Sequence, residues 1–193
     1  MDTLQPKKMD LRIVKTYRAL NEAFLALLEE EPLSNITINE LCNRADIRRA
    51  TFYKHFADKN AYIEYSVMNM HRNFTKEAEN HPENDGSLCA FFLGYARQTM
   101  QFLRTHERLV QRVKETNMLP HLLSILLKAT YREILERIRA EEARGIKLPA
   151  MPEILASFCT GGLYQTLQYW QCQEGALSEE ELLAQLSHLL TRL

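Results

Sequence analysis

Ile13, Tyr17, Leu20, Phe24 and Leu27 follow one another at intervals of 4, 3, 4 and 3, the repeat of a helix that buries one face. The pattern predicts a first helix from about Asp10 to Glu30, closed by the acidic run Glu29-Glu30-Glu31 and by Pro32. Thr37 followed three residues later by Glu40 has the form of a capping box, so a second, short helix begins at Ile38 and ends near Ala45. After Asp46-Ile47, the run from Arg48 to Phe56 has room for about two helical turns. Asp58 caps a fourth helix starting at Lys59, whose inner face carries Ile63, Val67, Met70 and Phe74.

Beyond the break at Asn80–Asp85, Leu88, Phe91, Phe92, Tyr95, Thr99, Phe102 and Leu103 form so broad an apolar face that this helix is expected to be central. A short segment from Glu107 to Glu115 precedes a long helix from Leu119 to about Arg144, with Gly145 as its stop. Pro152 opens a helix reaching Gln173, and Ser178 with Glu181 repeats the capping-box pattern ahead of the stripe Leu182, Leu186, Leu189 and Leu193. The expected fold class is all-α, with about nine helices.

Composition narrows the function classes. With 193 residues, 46% hydrophobic and 25% charged, the chain falls within globular statistics and outside those of disordered or collagen-like sequences. Its apolar runs are far shorter than the roughly 20 residues that span a bilayer, and the segment after Lys7 and Lys8 is amphipathic. No membrane partner and a cytoplasmic location are therefore expected. Cys42, Cys89, Cys159 and Cys172 are scattered without a C-x-x-C pair and are read as buried free thiols. His71, His106 and His121 lack metal-ligand spacing, so neither a metal nor a cofactor is expected. No catalytic signature is found, and the chain is not expected to be an enzyme.

Charge singles out one segment. The whole chain carries a formal charge of −1, yet between Asn43 and Lys59 five basic residues (Arg44, Arg48, Arg49, Lys54, Lys59) face two acidic ones (Asp46, Asp58). Two short helices joined by a tight turn, the second rich in Arg, Thr, Tyr, Lys and His, suit a helix-turn-helix that lays a helix end into a major groove. Lys7, Lys8, Arg12, Lys15 and Arg18 add a second basic stretch.

The run Thr51-Phe52-Tyr53-Lys54-His55-Phe56-Ala57-Asp58-Lys59, with Thr37 and Ala45 ahead of it, resembles the TetR family of transcriptional regulators. The resemblance extends from about Arg12 to Tyr65. It implies phosphate contacts for Thr37, Tyr53, His55 and Lys59, groove contacts for Arg48, Arg49 and Thr51, and core positions for Phe52 and Phe56; Lys54 joins them as a DNA-binding candidate. Two positions depart from the family pattern: Asp46 stands where Gly is usual in the turn, and Arg48 where Ser or Thr usually caps the third helix. Asp tolerates a left-handed backbone, but Arg cannot accept an amide hydrogen.

The resemblance further implies a helix-turn-helix domain over residues 1–58 and a helical effector-binding and dimerisation domain over 59–193. Phe158, Gly161, Gly162, Leu182, Leu186, Leu189 and Leu193 are the expected dimer contacts. The two glycines each cost a helix about 1 kcal/mol, which close helix approach offsets. Tyr65, Met68, Phe92, Tyr95, Met100, Phe102, His106, Met118, Leu122, Leu126 and Tyr131 are the candidate lining of an apolar effector pocket. From Phe158 to Leu190 the chain is also similar to the subgroup containing activators of dihydroxyacetone kinase genes, carried by Gly161-Gly162, Leu167, Trp170, Gly175 and Ser178. The combined expectation is a homodimeric, sequence-specific DNA-binding regulator, a repressor on a palindromic double-stranded operator, modulated by a small-molecule or protein effector. The alternative is an all-α protein-binding adaptor without specific DNA recognition.

Overall fold

The computed structural model describes residues 11–173 and 177–191. Lys7, Lys8, Gly175, Leu193 and the expected helix start at Asp10 lie outside the described residues. Among the described residues there are nine α-helices and no strand: α1 (Leu11–Glu30), α2 (Ile38–Arg44), α3 (Arg49–His55), α4 (Lys59–Glu79), α5 (Leu88–Thr105), α6 (Glu107–Lys114), α7 (Leu119–Ala143), α8 (Pro152–Cys172) and α9 (Glu179–Leu190). The all-α reading holds.

The helix ends form where local chemistry predicts them. Both capping boxes, Thr37/Glu40 at α2 and Ser178/Glu181 at α9, are made in full. Asp58 Oδ1 accepts the amide of Ala61 at 2.8 Å in the first turn of α4. Gly145, at φ +87°, ends α7: its amide reaches Glu142 O at 2.9 Å and that of Ile146 reaches Glu141 O at 3.2 Å. Those two bonds satisfy carbonyls that the helix end leaves open, in a Schellman arrangement.

The chain divides into two compact units, one of residues up to Ser66 with Arg108–Asn117, the other of Val67–Glu107 with Met118–Leu193. The division falls inside α4 and not at residue 58, because Tyr62 and Ile63 on its first turns are buried with α1–α3 residues of the first unit. The first core contains Leu20, Phe24, Leu27, Leu41, Phe52, Phe56 and Tyr62, and α6 adds Leu109. Arg112 of α6 also donates to Leu28 O at 3.5 Å.

In the second unit α5 packs on α7, α8 and α9, the central place that its broad apolar face predicts. Gly94 lets α4 and α5 approach closely: a Cβ there would sit 3.0 Å from Ala78 Cα. Phe91, Phe92, Tyr95, Ala96 and Met100 meet Ile134, Ile138, Leu163 and Leu167 in one core. Leu182 and Leu186, expected at a dimer interface, are instead buried in this core of the subunit, because the stripe on α9 turns toward α5. Of the four thiols, Cys42 and Cys159 are buried, Cys89 is half-buried, and Cys172 is exposed at the last turn of α8, contrary to the expectation of burial.

Candidate nucleic-acid interface

The turn between α2 and α3 is set by one residue. Asp46 takes φ +53°, the left-handed conformation that Gly would otherwise supply. The amide of Ile47 then closes on Cys42 O at 3.0 Å and the chain re-enters a helix at Arg48. Arg48, extended at φ −74° and ψ 140°, makes no side-chain cap bond, as its chemistry requires. Asp46→Val, which puts a β-branched residue at positive φ, is expected to lower the stability of the first unit, measured by urea unfolding, by about 1–2 kcal/mol. Asp46→Gly is expected to leave it unchanged or to raise it.

On α3, Phe52 is fully buried and fixes the helix by its inner face. Its ring lies 5.4 Å from Phe56 and 5.8 Å from Tyr62. Pinning that face leaves Arg48, Arg49, Tyr53 and Lys54 exposed on the other, with Thr51 and His55 half-buried at its edges. Arg49 Nη2 stands 3.5 Å from the Tyr53 hydroxyl, and its guanidinium carbon lies 5.8 Å from the Tyr53 ring centre. This one-turn contact holds both side chains out from the same helix face.

The five basic residues counted along the sequence do not contribute equally. Arg44 is bound through both terminal nitrogens to Glu30 of α1, which holds that carboxyl below its ordinary range. Lys59 donates to Leu33 O at 2.5 Å and to Ser34 O at 3.4 Å, and burial lowers its pKa. Arg48, Arg49 and Lys54 are the cations of this window left on the exposed α3 face, and none makes an ion pair among the described residues. The Thr37 hydroxyl donates to Glu40 Oε2 at 2.7 Å and accepts the Glu40 amide at 3.2 Å, so it is engaged in the capping box. His55 Nδ1 lies 3.4 Å from the Tyr17 hydroxyl of α1, with the Nε2 side turned away from that contact. The pairings of Arg44 with Glu30 and of Lys59 with the loop carbonyls carry no periodic signal and escape a reading of the sequence.

A profile for bacterial regulatory proteins of the tetR family matches residues 21–64, the segment from α1 to the start of α4. The helix-turn-helix domain belongs to the TetR family. YxbF of Bacillus subtilis (strain 168), an uncharacterized HTH-type transcriptional regulator, is 42% identical over 62 residues, which are 32% of this chain and 16% of that protein. The chain thus spans well under two thirds of this relative. Solved structures share the fold over most of this chain's length. A TetR-family protein from Rhodococcus sp. superposes with a TM-score of 0.69 at 16% identity, covering 92% of this chain and 97% of the other. The fatty acid degradation regulator FadR of Bacillus halodurans gives 0.65 at 13% identity (91% and 94% covered). The dihydroxyacetone kinase operon activator DhaS gives 0.62 at 18% identity (93% and 96% covered).

The second unit places the remaining candidates less uniformly. Phe92, Tyr95 and Met100 are packed into the core, and the Phe102 ring lies tilted against that of His106, centres 4.8 Å apart, at the end of α5. Met68, Met118, Leu122 and Leu126 are half-buried. Tyr65 belongs to the first unit and is half-buried there, its ring 4.8 Å from Tyr17 and 5.2 Å from Phe56. A groove of about 620 Å³ runs between α7 and α8, lined by Leu127, Lys128, Tyr131, Arg132, Ser157, Thr160, Gly161 and Tyr164; of the expected pocket residues it contains Tyr131. Phe158 is 63% and Leu189 60% exposed, and Gly161 and Gly162 are bare on the same helix as Phe158.

Proposed function

We propose that this chain is a sequence-specific DNA-binding transcriptional regulator that acts as a homodimer, each subunit presenting α3 to the major groove of one half of a palindromic operator. The observation that carries the reading is the two-sidedness of α3: Phe52 locks one face into the core while Arg48, Arg49, Tyr53 and Lys54 are exposed on the other. Arg48 and Arg49 are the base readers, suited to guanine; Thr51 faces the groove, and Tyr53, Lys54 and His55 hold the backbone. The description of YxbF as an HTH-type regulator supports the same assignment.

Dimerisation is supported by the exposed apolar stripe Ile154, Phe158 and Tyr169 on α8 with Leu189 on α9, a surface that water leaves costly. Gly162 interrupts that stripe and permits close helix approach. The chain acts as a repressor released by an effector, which shifts operator occupancy only through its differential affinity for the bound and free states.

Fluorescence anisotropy on DNA from immediately upstream of its own gene, against random DNA and at two salt concentrations, tests the reading. Selective, salt-sensitive binding at two subunits per site is the expected result. Arg49→Ala should cost about 1–3 kcal/mol on the operator and relax selectivity at one position, whereas Lys54→Ala should weaken all sequences alike and lower the salt slope by about one. Equal losses on operator and random DNA for both variants would overturn this division of roles.

A further inference from the structure

The groove between α7 and α8 has a charge distribution that the rest of α7 does not share. Arg137, Arg139 and Arg144 are each held by a carboxylate: Arg137 by Glu133 at 2.8 Å and by Glu79, Arg139 by Glu153 at 2.7 Å, and Arg144 by Glu141 at 3.7 Å. Lys128 and Arg132, one turn apart on the same helix, are both exposed and make no ion pair or hydrogen bond among the described residues. Glu136, one turn further on, does not pair with Arg132. Two neighbouring cations without counter-charge repel each other, so an anion between them is favoured over water alone.

The opposite wall offers no competing polar recognition. Ser157 Oγ donates to Glu153 O at 2.7 Å and Thr160 Oγ1 to Ala156 O at 2.7 Å, both spent within α8. The Tyr164 hydroxyl takes a bond from Gln168 Nε2 at 2.7 Å. Between the walls lie the side chains of Leu127 and Tyr131, and at Gly161 no atom comes within 4 Å of where a Cβ would stand. The volume of about 620 Å³ falls within the range of roughly 300–1,000 Å³ typical of small-molecule sites.

We propose that this groove binds a small organic anion with an apolar body, its charged group held by Lys128 and Arg132 and its body lying across Tyr131 toward Gly161. The ligand's part in regulation rests on the effector-controlled reading above. The class follows from the one-sided polarity: a neutral apolar molecule leaves the cations unmet, and a fully polar anion gains nothing from Leu127, Tyr131 and Tyr164.

The test uses the full chain with 8-anilinonaphthalene-1-sulfonate as fluorescent probe and decanoate or decanol as competitor. Decanoate should displace the probe at least about tenfold more tightly than decanol, with an advantage that shrinks at high salt. K128Q/R132Q should abolish that advantage, and G161L, whose Cβ has no atom within 4 Å to clash with and whose longer side chain extends into the groove, should block both competitors while the melting temperature is kept. Equal displacement by the acid and the alcohol, or an unchanged advantage in K128Q/R132Q, overturns the anion site. Loss of dimer in G161L with displacement unaltered also overturns it, because the groove would then seat the second copy of the chain. Operator anisotropy with and without decanoate separates the two readings. A shift in affinity that K128Q/R132Q loses supports the ligand as effector, whereas decanoate binding without any shift removes that role. Absence of selective DNA binding, with the displacement pattern intact, overturns the regulator reading and leaves the site.

Discussion

Alanine at Phe52 is expected to lower the stability of the helix-turn-helix unit by about 3–5 kcal/mol, the largest effect of any single truncation on α3. The side chain is 0% exposed, and its ring is within 5.8 Å of the centres of Phe56 and Tyr62. Removing it leaves a cavity that the seven-residue α3 cannot close by itself, since a helix of two turns is held by packing and not by propensity. DNA binding should vanish together with the cooperative unfolding transition. Tyr53→Ala, one residue along on the exposed face, should change stability by no more than about 0.5 kcal/mol while still weakening DNA binding. Urea unfolding followed by circular dichroism, paired with anisotropy on the same samples, separates the two variants. A stable, folded Phe52→Ala chain would show that α3 is not anchored through this ring.

The second large effect is a pH dependence of the second unit. His71 is 5% exposed on α4, its ring 5.5 Å from that of Tyr95, and its Nε2 has no hydrogen-bond partner among the described residues. Burial first, then the charges of Arg132 and Arg72, push its pKa from 6.5 down to about 4. The imidazole is therefore neutral in the folded chain at pH 7, while the unfolded chain takes up the proton more readily as the pH falls. Stability from this residue is complete above the unfolded value of 6.5 and is lost progressively down to about 4. The loss over that window is about 3 kcal/mol. His71→Phe keeps an aromatic ring in the core and should flatten the dependence between those limits. Thermal melts from neutral to acid pH check this, and an equally steep decline in the variant would assign the acid sensitivity to other groups.

Much of the fold was legible because its signals are local. The capping boxes at Thr37/Glu40 and Ser178/Glu181, the stop at Gly145 and the cap at Asp58 act within one helical turn, and each lies where the spacing puts it. Asp46 was readable for the same reason: left-handed backbone is a property of one residue and its neighbours. Arg48 without a cap bond likewise follows from its own chemistry.

The partner of each face was not legible. Leu182 and Leu186 form an apolar stripe that would serve a core or a dimer interface equally well, and their burial against α5 is a fact of packing. Tyr65 and Phe92 are both aromatic helix residues, but they lie in different units.

The sequence by itself determined the helices, their caps, the left-handed turn and the basic character of the α2–α3 segment, because each depends on residues within a few positions of one another. Only the tertiary structure decided which cations remain available. Arg44 meets Glu30 fourteen positions away and Lys59 meets Leu33 O across 26, while Lys128 and Arg132 meet no carboxylate among the described residues. Hydrogen bonds and ion pairs between elements depend on distances in space, which neither periodicity nor composition encodes.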